Sequence, residues 1–204
     1  MFQYDEQANL RRLSALEPPL RVAFALLCAG RVLPTYSSFH EATGRGDPAE
    51  LQRLWERAWR DLTDSAMTTA EVAEATAKAE ELVPSEDDGY DEDTQPYAED
   101  AASALAYALR ARANGDPREA AWAGQCLYEA ADHFAGRGIA GQPATPTYES
   151  EAVAHPVVQR ELERQHRDLT ELLALASGSD RVQGLVWMRA RSEHEADSFF
   201  APRL

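Results

Sequence analysis

Apolar positions recur at helical spacing along nearly the whole chain, and strand alternation occurs almost nowhere. A short first helix is predicted from about Glu6 to Leu16. Pro18 and Pro19 then open LRVAFALLCAGRVL, a stretch that is apolar almost all round. Its Leu20, Val22, Phe24, Leu26, Leu27, Cys28, Val32 and Leu33 cannot share one face. The helix they form is therefore central, with neighbours on several sides. Pro34 is expected to end or kink it, since proline lacks the N–H that an interior position needs. Asp47 as N-cap and Pro48 as first helical residue start a helix striped by Leu51, Leu54, Trp55, Ala58 and Leu62. Thr69 is placed to cap the next helix, which runs through Leu82 and turns Val72, Ala75 and Ala79 inward; Pro84 closes it.

A helix from about Pro96 to Ala113 stops at Gly115. Asp116-Pro117 repeats the Asp-Pro start for a helix to about Ala135, which brings Trp122, Cys126 and Leu127 to the core. GRGIAGQPATPTY, Gly136 to Tyr148, has no periodicity and reads as a flexible linker. Beyond it, Val158, Leu162, Gln165, Leu169, Leu172 and Ala176 form one stripe; Gly178 stops that helix, and Ser179 or Asp180 caps a last one. The pattern predicts an all-α, irregular multi-helix single domain of about seven to eight helices around a buried central one. It divides into a helical body over 1–135, the linker 136–148, and a C-terminal helical pair over 149–204 packed on the same domain. An up-and-down four-helix bundle does not fit, because the helices differ in length and the second is apolar all round.

Charge changes this picture locally. The 204 residues carry a net charge of −15, and Ser85 to Asp100 contains eight carboxylates and no basic residue. Removing those eight from the total leaves −7, ordinary for a domain of this size. An acidic chain is repelled by phosphate backbones and anionic lipid, so neither nucleic acid nor membrane is an expected partner. A basic protein is the candidate partner, and Glu86, Asp87, Asp88, Asp91, Glu92 and Asp93 are the candidate surface for it. Cys28 and Cys126 sit far apart in apolar helices without a CxxC, which suits buried thiols in a reducing compartment. With no recognisable signal segment at the start and no apolar run expected to span a membrane, the protein is expected in the cytoplasm. Only Lys78 among the 20 basic residues is lysine, a bias that suits a GC-rich bacterial genome.

Catalytic motifs are sparse. With Gly89 as loop position 6, Glu86 and Asp88 fall on calcium-ligand positions, but Pro84 and Gln95 occupy the two ends where carboxylates are required. Glu163 and His166 make the single Glu-x-x-His pair, short of the two that a di-iron bundle uses. There is no HExxH, no zinc-type Cys/His cluster, no GxSxG and no phosphate loop. No cofactor is indicated. The tryptophans Trp55, Trp59, Trp122 and Trp187 lie at helical spacing and read as core.

LPTYSSFHEATGRGD, Leu33 to Asp47, follows a very apolar helix and carries Tyr36, Phe39 and Thr43 before a glycine. Downstream come Leu51, Leu54 and Trp55, then VPSEDD at Val83 to Asp88, AEDAASAL at Ala98 to Leu105, and HPVVQRELERQ with Glu161 and Gln165. In this order the segments resemble the YjaG-like bacterial proteins, a domain family of unknown function. EADSFFAPRL at the C-terminus departs from that family's usual ending. The resemblance implies an all-helical fold and no particular activity. It draws attention to Asp100, Glu161, Gln165 and Tyr36 as a candidate polar site. Asp100 stands at the edge of the stripe Tyr97, Ala101, Ala104 and Ala108, where a carboxylate needs a hydrogen-bonding partner or a pocket.

The function expected first is a non-catalytic protein-binding module, of the inhibitor or immunity type, acting on a basic protein. The alternatives are a metal-assisted hydrolase in which Asp100, Glu161 and a histidine converge, and a structural or oligomeric scaffold.

Overall fold

Aspartate, threonine and proline mark where the helices begin. In the computed structural model, which describes residues 1–85, 91–139, 151–176, 180–197 and 199, the chain is all-α and no strand occurs among these residues. The helices are α1 (Glu6–Ser14), α2 (Pro18–Thr43), α3 (Pro48–Thr63), α4 (Thr69–Glu81), α5 (Gln95–Asn114), α6 (Pro117–Ile139), α7 (Pro156–Leu175) and α8 (Arg181–Ala196). A further helical turn over 151–154 leads into α7. Asp5 caps α1 by accepting from the Ala8 N–H, and Asp47 caps α3 by accepting from Glu50. Gly44 and Gly115 close α2 and α5 in the left-handed conformation that glycine adopts without steric penalty.

Thr68, one residue earlier than expected, is the cap of α4. Its hydroxyl accepts from the Glu71 N–H at 3.2 Å while the Glu71 carboxylate accepts from the Thr68 N–H at 2.7 Å, a reciprocal capping box. Thr68→Ala removes one half of that pair. Urea denaturation is expected to show a loss of about 1 kcal/mol, with Thr68→Ser close to wild type.

α2 is the central helix and packs against α3, α5, α6, α7 and α8, most extensively against α5. The expected break at Pro34 does not occur: α2 continues through it to Thr43. Pro34 is exposed, so its ring displaces no packed neighbour, and the following Thr35 hydroxyl ties the helix to α5 by donating to Val32 O (2.7 Å) and Tyr97 O (3.0 Å). Read across Pro34, α2 is long and apolar enough to cross a membrane by length and composition, contrary to the expectation that no run would be. Within the fold, however, 83% of its apolar window is buried by the other helices.

Gly30 lets α3 and α8 close onto this helix. A Cβ there would lie 2.8 Å from the Trp55 ring and 3.1 Å from the Ser192 hydroxyl. Trp55 Nε1 donates to Leu26 O at 2.8 Å and Ser192 donates to Leu27 O at 2.8 Å, so both neighbours are also anchored to the backbone of α2.

Two tryptophans depart from the expected core role. Trp122 is half-buried against Tyr107, and Trp187 is 57% exposed with the Arg191 guanidinium 4.5 Å from its ring centroid. Trp55 and Trp59 are core, edge to face at 6.1 Å. Ala176, expected on the inner stripe of α7, is exposed at its end. α6 runs on through residues 136–139, the first four of the expected linker; residues 140–148 lie outside the described residues, as do Gly178 and Ser179.

Candidate functional site

One charged side chain sits in the middle of the apolar α2. Arg31 is completely buried, and α7 supplies its partners. Its Nε and Nη2 donate to the two oxygens of Glu161 at 3.1 and 2.8 Å, and its Nη1 donates to Asp168 at 2.7 Å. The second Asp168 oxygen accepts from Arg167 (3.0 Å) and from Arg191 on α8 (2.8 Å). Gln165, between the two acids on α7, donates to Glu161 at 3.1 Å and to Gly124 O on α6 at 2.9 Å. Arg167 also pairs with Glu195 of α8 at 2.8 Å. Burial pulls the Arg31 guanidinium down, but Glu161 and Asp168 outweigh it and hold it well above its ordinary value. Both carboxylates are therefore committed to arginine as fixed acceptors, and the network joins α2, α6, α7 and α8.

Arg31 also lines one side of a cleft of about 370 Å³, together with Pro34, Thr35 and Ser38 of α2. Asp93, Thr94 and Tyr97 come from the start of α5, Phe134 and Arg137 from the end of α6, and Asp197 and Phe199 from beyond α8. Arg137 pairs with Asp93 at 2.9 Å, donates to Glu92 O, and lies 5.3 Å from the Tyr97 ring centroid.

Asp100 lies elsewhere, on the inner side of α5. It is 8% exposed, and its Oδ2 has no hydrogen-bond partner among the described residues. The hydrogen-bonding partner expected for this carboxylate is absent at that oxygen. Burial first, and then the negative charges of Glu129 and Glu99, push its pKa up to about 8, so the carboxyl is protonated at neutral pH.

The expected polar site is thus divided. Glu161 and Gln165 meet each other at Arg31, while Asp100 is buried on α5 without a bond to either of them. Tyr36 is buried at a third place, where its hydroxyl donates to Leu82 O at 2.7 Å. Of the acidic stretch, Asp91 is half-buried and accepts from the Thr94 N–H at 3.1 Å as a turn former. Glu92 and Asp93 are exposed, and Glu86, Asp87 and Asp88 lie outside the described residues.

Four histidines meet groups other than Glu161 and Asp100, and the fifth, His194, is exposed on α8. His166 meets Arg12, His40 meets the carbonyls of Arg45 and Gly46, His133 packs edge-on to Tyr97, and His155 caps α7 at Val157 N. Among the described residues no group of three or more His, Cys, Asp or Glu side chains is arranged to hold a metal ion. Cys28 and Cys126 are buried, and burial raises both thiols above the range in which they act as nucleophiles.

Arg31 and Asp168 escaped the reading of the sequence. A signal was present: of the two arginines in this apolar run, Arg21 stands at its start, but Arg31 lies in its interior, where a charge needs a buried partner. Glu161, Gln165 and Asp168 also follow i, i+4 and i+7 spacing on α7, a polar stripe in the place of an apolar one.

No curated protein matches the chain. A crystal structure of a DUF416 family protein from Shewanella baltica OS155 superposes with a TM-score of 0.75 at 23% sequence identity, covering 90% of this chain and 93% of that one. At that identity the likeness is one of fold. Residues 8–198 match the sequence profile described as "Protein of unknown function (DUF416)", which spans every helix from the first turn of α1 to the end of α8, and the chain belongs to that family.

Proposed function

We propose that this DUF416 protein is a non-catalytic protein-binding module, of the inhibitor or immunity type, whose partner is a basic protein of the bacterial cytoplasm. The narrower YjaG-like placement belongs to the same proposal. The observation that carries it is how the acidic groups are distributed. Glu161 and Asp168 have both oxygens occupied by arginine or glutamine donors and are sealed in the core, whereas Glu92 and Asp93 stand exposed, Asp93 on the lining of the cleft. Buried, saturated carboxylates are poor general bases and poor metal ligands, because either role requires removing a buried arginine from its partner. Exposed carboxylates on a chain of charge −15 instead steer a basic surface towards them. The buried thiols fit a reducing compartment.

The test is retention of a basic protein on the immobilised chain, identified by mass spectrometry and then repeated with that protein purified. Binding is expected to weaken steeply between low salt and about 0.5 M salt. The double substitution Glu92→Lys and Asp93→Lys should abolish it while the thermal midpoint stays near wild type. Retention of no basic protein, or equal retention by the reversed-charge variant, would sink the proposal.

A further inference from the structure

We infer that the cleft between α2, α5, α6 and α8 is the seat for an arginine side chain of the basic partner, and that Arg137 occupies this seat in the free protein. The inference rests on the protein-binding reading above and names its anchor. Arg137 shows what the cleft recognises. Its guanidinium lies 5.3 Å from the Tyr97 ring centroid, pairs with Asp93 at 2.9 Å, and donates to the Glu92 carbonyl. A ring face, a carboxylate and a carbonyl are together the environment that a planar, many-donor cation selects over a compact ammonium. Phe134 and Phe199 extend the apolar lining, and Asp197 adds a second exposed carboxylate across the opening.

The remaining space, about 370 Å³, is a cleft open to solvent, with room to admit a side chain from outside. An anionic guest is disfavoured, because Asp93 and Asp197 line the cleft while Arg31 is committed to Glu161 and Asp168. The occupant now in place is easily displaced. The side chains of Arg137 and Asp93 are 43% and 85% exposed, so solvent screens their pairing. An incoming arginine held by further contacts of its own protein can take over Tyr97 and Asp93 and release Arg137 to solvent.

The probe is N-acetyl-arginine amide, which carries the guanidinium without a carboxylate; its neutral ureido counterpart, N-acetyl-citrulline amide, is the control. Titration is followed by the aromatic NMR signals of Tyr97 and Phe134. The arginine amide is expected to shift both signals saturably, with affinity in the millimolar range, and citrulline amide to leave them unmoved. Arg137→Ala should tighten binding by about two- to fivefold, the worth of an exposed competing ion pair. Adding Asp93→Asn to that variant should reverse the gain. All variants are first checked for an unchanged thermal midpoint, which their exposure predicts. No shift with Arg137→Ala up to about 20 mM probe, or equal shifts with citrulline, would overturn the inference. If the cleft fails while salt-dependent retention of a basic partner persists, the inference falls and the protein-binding reading stands. If neither is seen, both fall.

Discussion

Arg31→Ala is expected to destabilise the protein by about 3–5 kcal/mol, enough to lower the thermal midpoint by roughly 6–20 °C in a chain of this size. The guanidinium is fully buried and holds both oxygens of Glu161 and one oxygen of Asp168. Truncation leaves Glu161, itself 1% exposed, with Gln165 as its remaining donor. Asp168 keeps Arg167 and Arg191, so the larger share of the loss should trace to Glu161. Two further substitutions separate charge from geometry. Arg31→Lys keeps the charge but cannot span Glu161 and Asp168 with a planar fork, and should recover only part of the loss. Adding Glu161→Gln to Arg31→Ala removes the stranded charge and should restore stability relative to Arg31→Ala alone. Urea denaturation with circular dichroism reads all three. A loss below about 1 kcal/mol for Arg31→Ala would mean that water or rearrangement replaces the network, contrary to its burial.

The second large effect depends on pH. Asp100→Asn should leave stability nearly unchanged at pH 4 and raise it by roughly 3–5 kcal/mol at pH 9. The sign follows from where the proton is held. In the folded protein, burial and then Glu129 and Glu99 raise the carboxyl from its ordinary 3.8 to about 8. Below the ordinary value, folded and unfolded chains both keep the proton, and the stability contribution is fully present. Between that value and about 8 the unfolded chain releases its proton while the folded one retains it, so rising pH favours unfolding. Above about 8 the loss is complete. Asparagine mimics the protonated acid in shape and cannot ionise, so the difference between the two proteins grows across this window. Urea denaturation from pH 4 to 9 measures it, and parallel pH profiles for wild type and Asp100→Asn would refute the assignment of a buried, protonated carboxyl.

These two residues show how unevenly the site could be read along the chain. Asp100 was legible as an exception, because an aspartate beside Tyr97, Ala101, Ala104 and Ala108 breaks an apolar stripe. What surrounds it is not legible, since that depends on which helix lies opposite: burial first, and then the negative charges of Glu129 and Glu99, raise its pKa, and its Oδ2 has no partner among the described residues. Arg31 is hard to see in LRVAFALLCAGRVL, which reads as a hydrophobic run whose pattern its two arginines, Arg21 and Arg31, barely alter. The family resemblance points to Glu161 and Gln165 but not to Arg31, the arginine that organises them.

The sequence by itself determined the helical class, the central position of α2, and the starts at Asp47-Pro48 and Asp116-Pro117, because periodicity and capping act over a few neighbouring residues. Tertiary structure decided the rest. It carried α2 through Pro34, where an exposed proline costs its helix little packing. It also turned Trp187 outward and Arg31 inward. It placed Glu161 against Arg31, 130 positions earlier in the chain, and brought Arg137 from the expected linker onto Tyr97 and Asp93. Pairings of that kind depend on how helices cross, and crossing is set by shape and burial summed over the whole core, which no local stretch of residues contains.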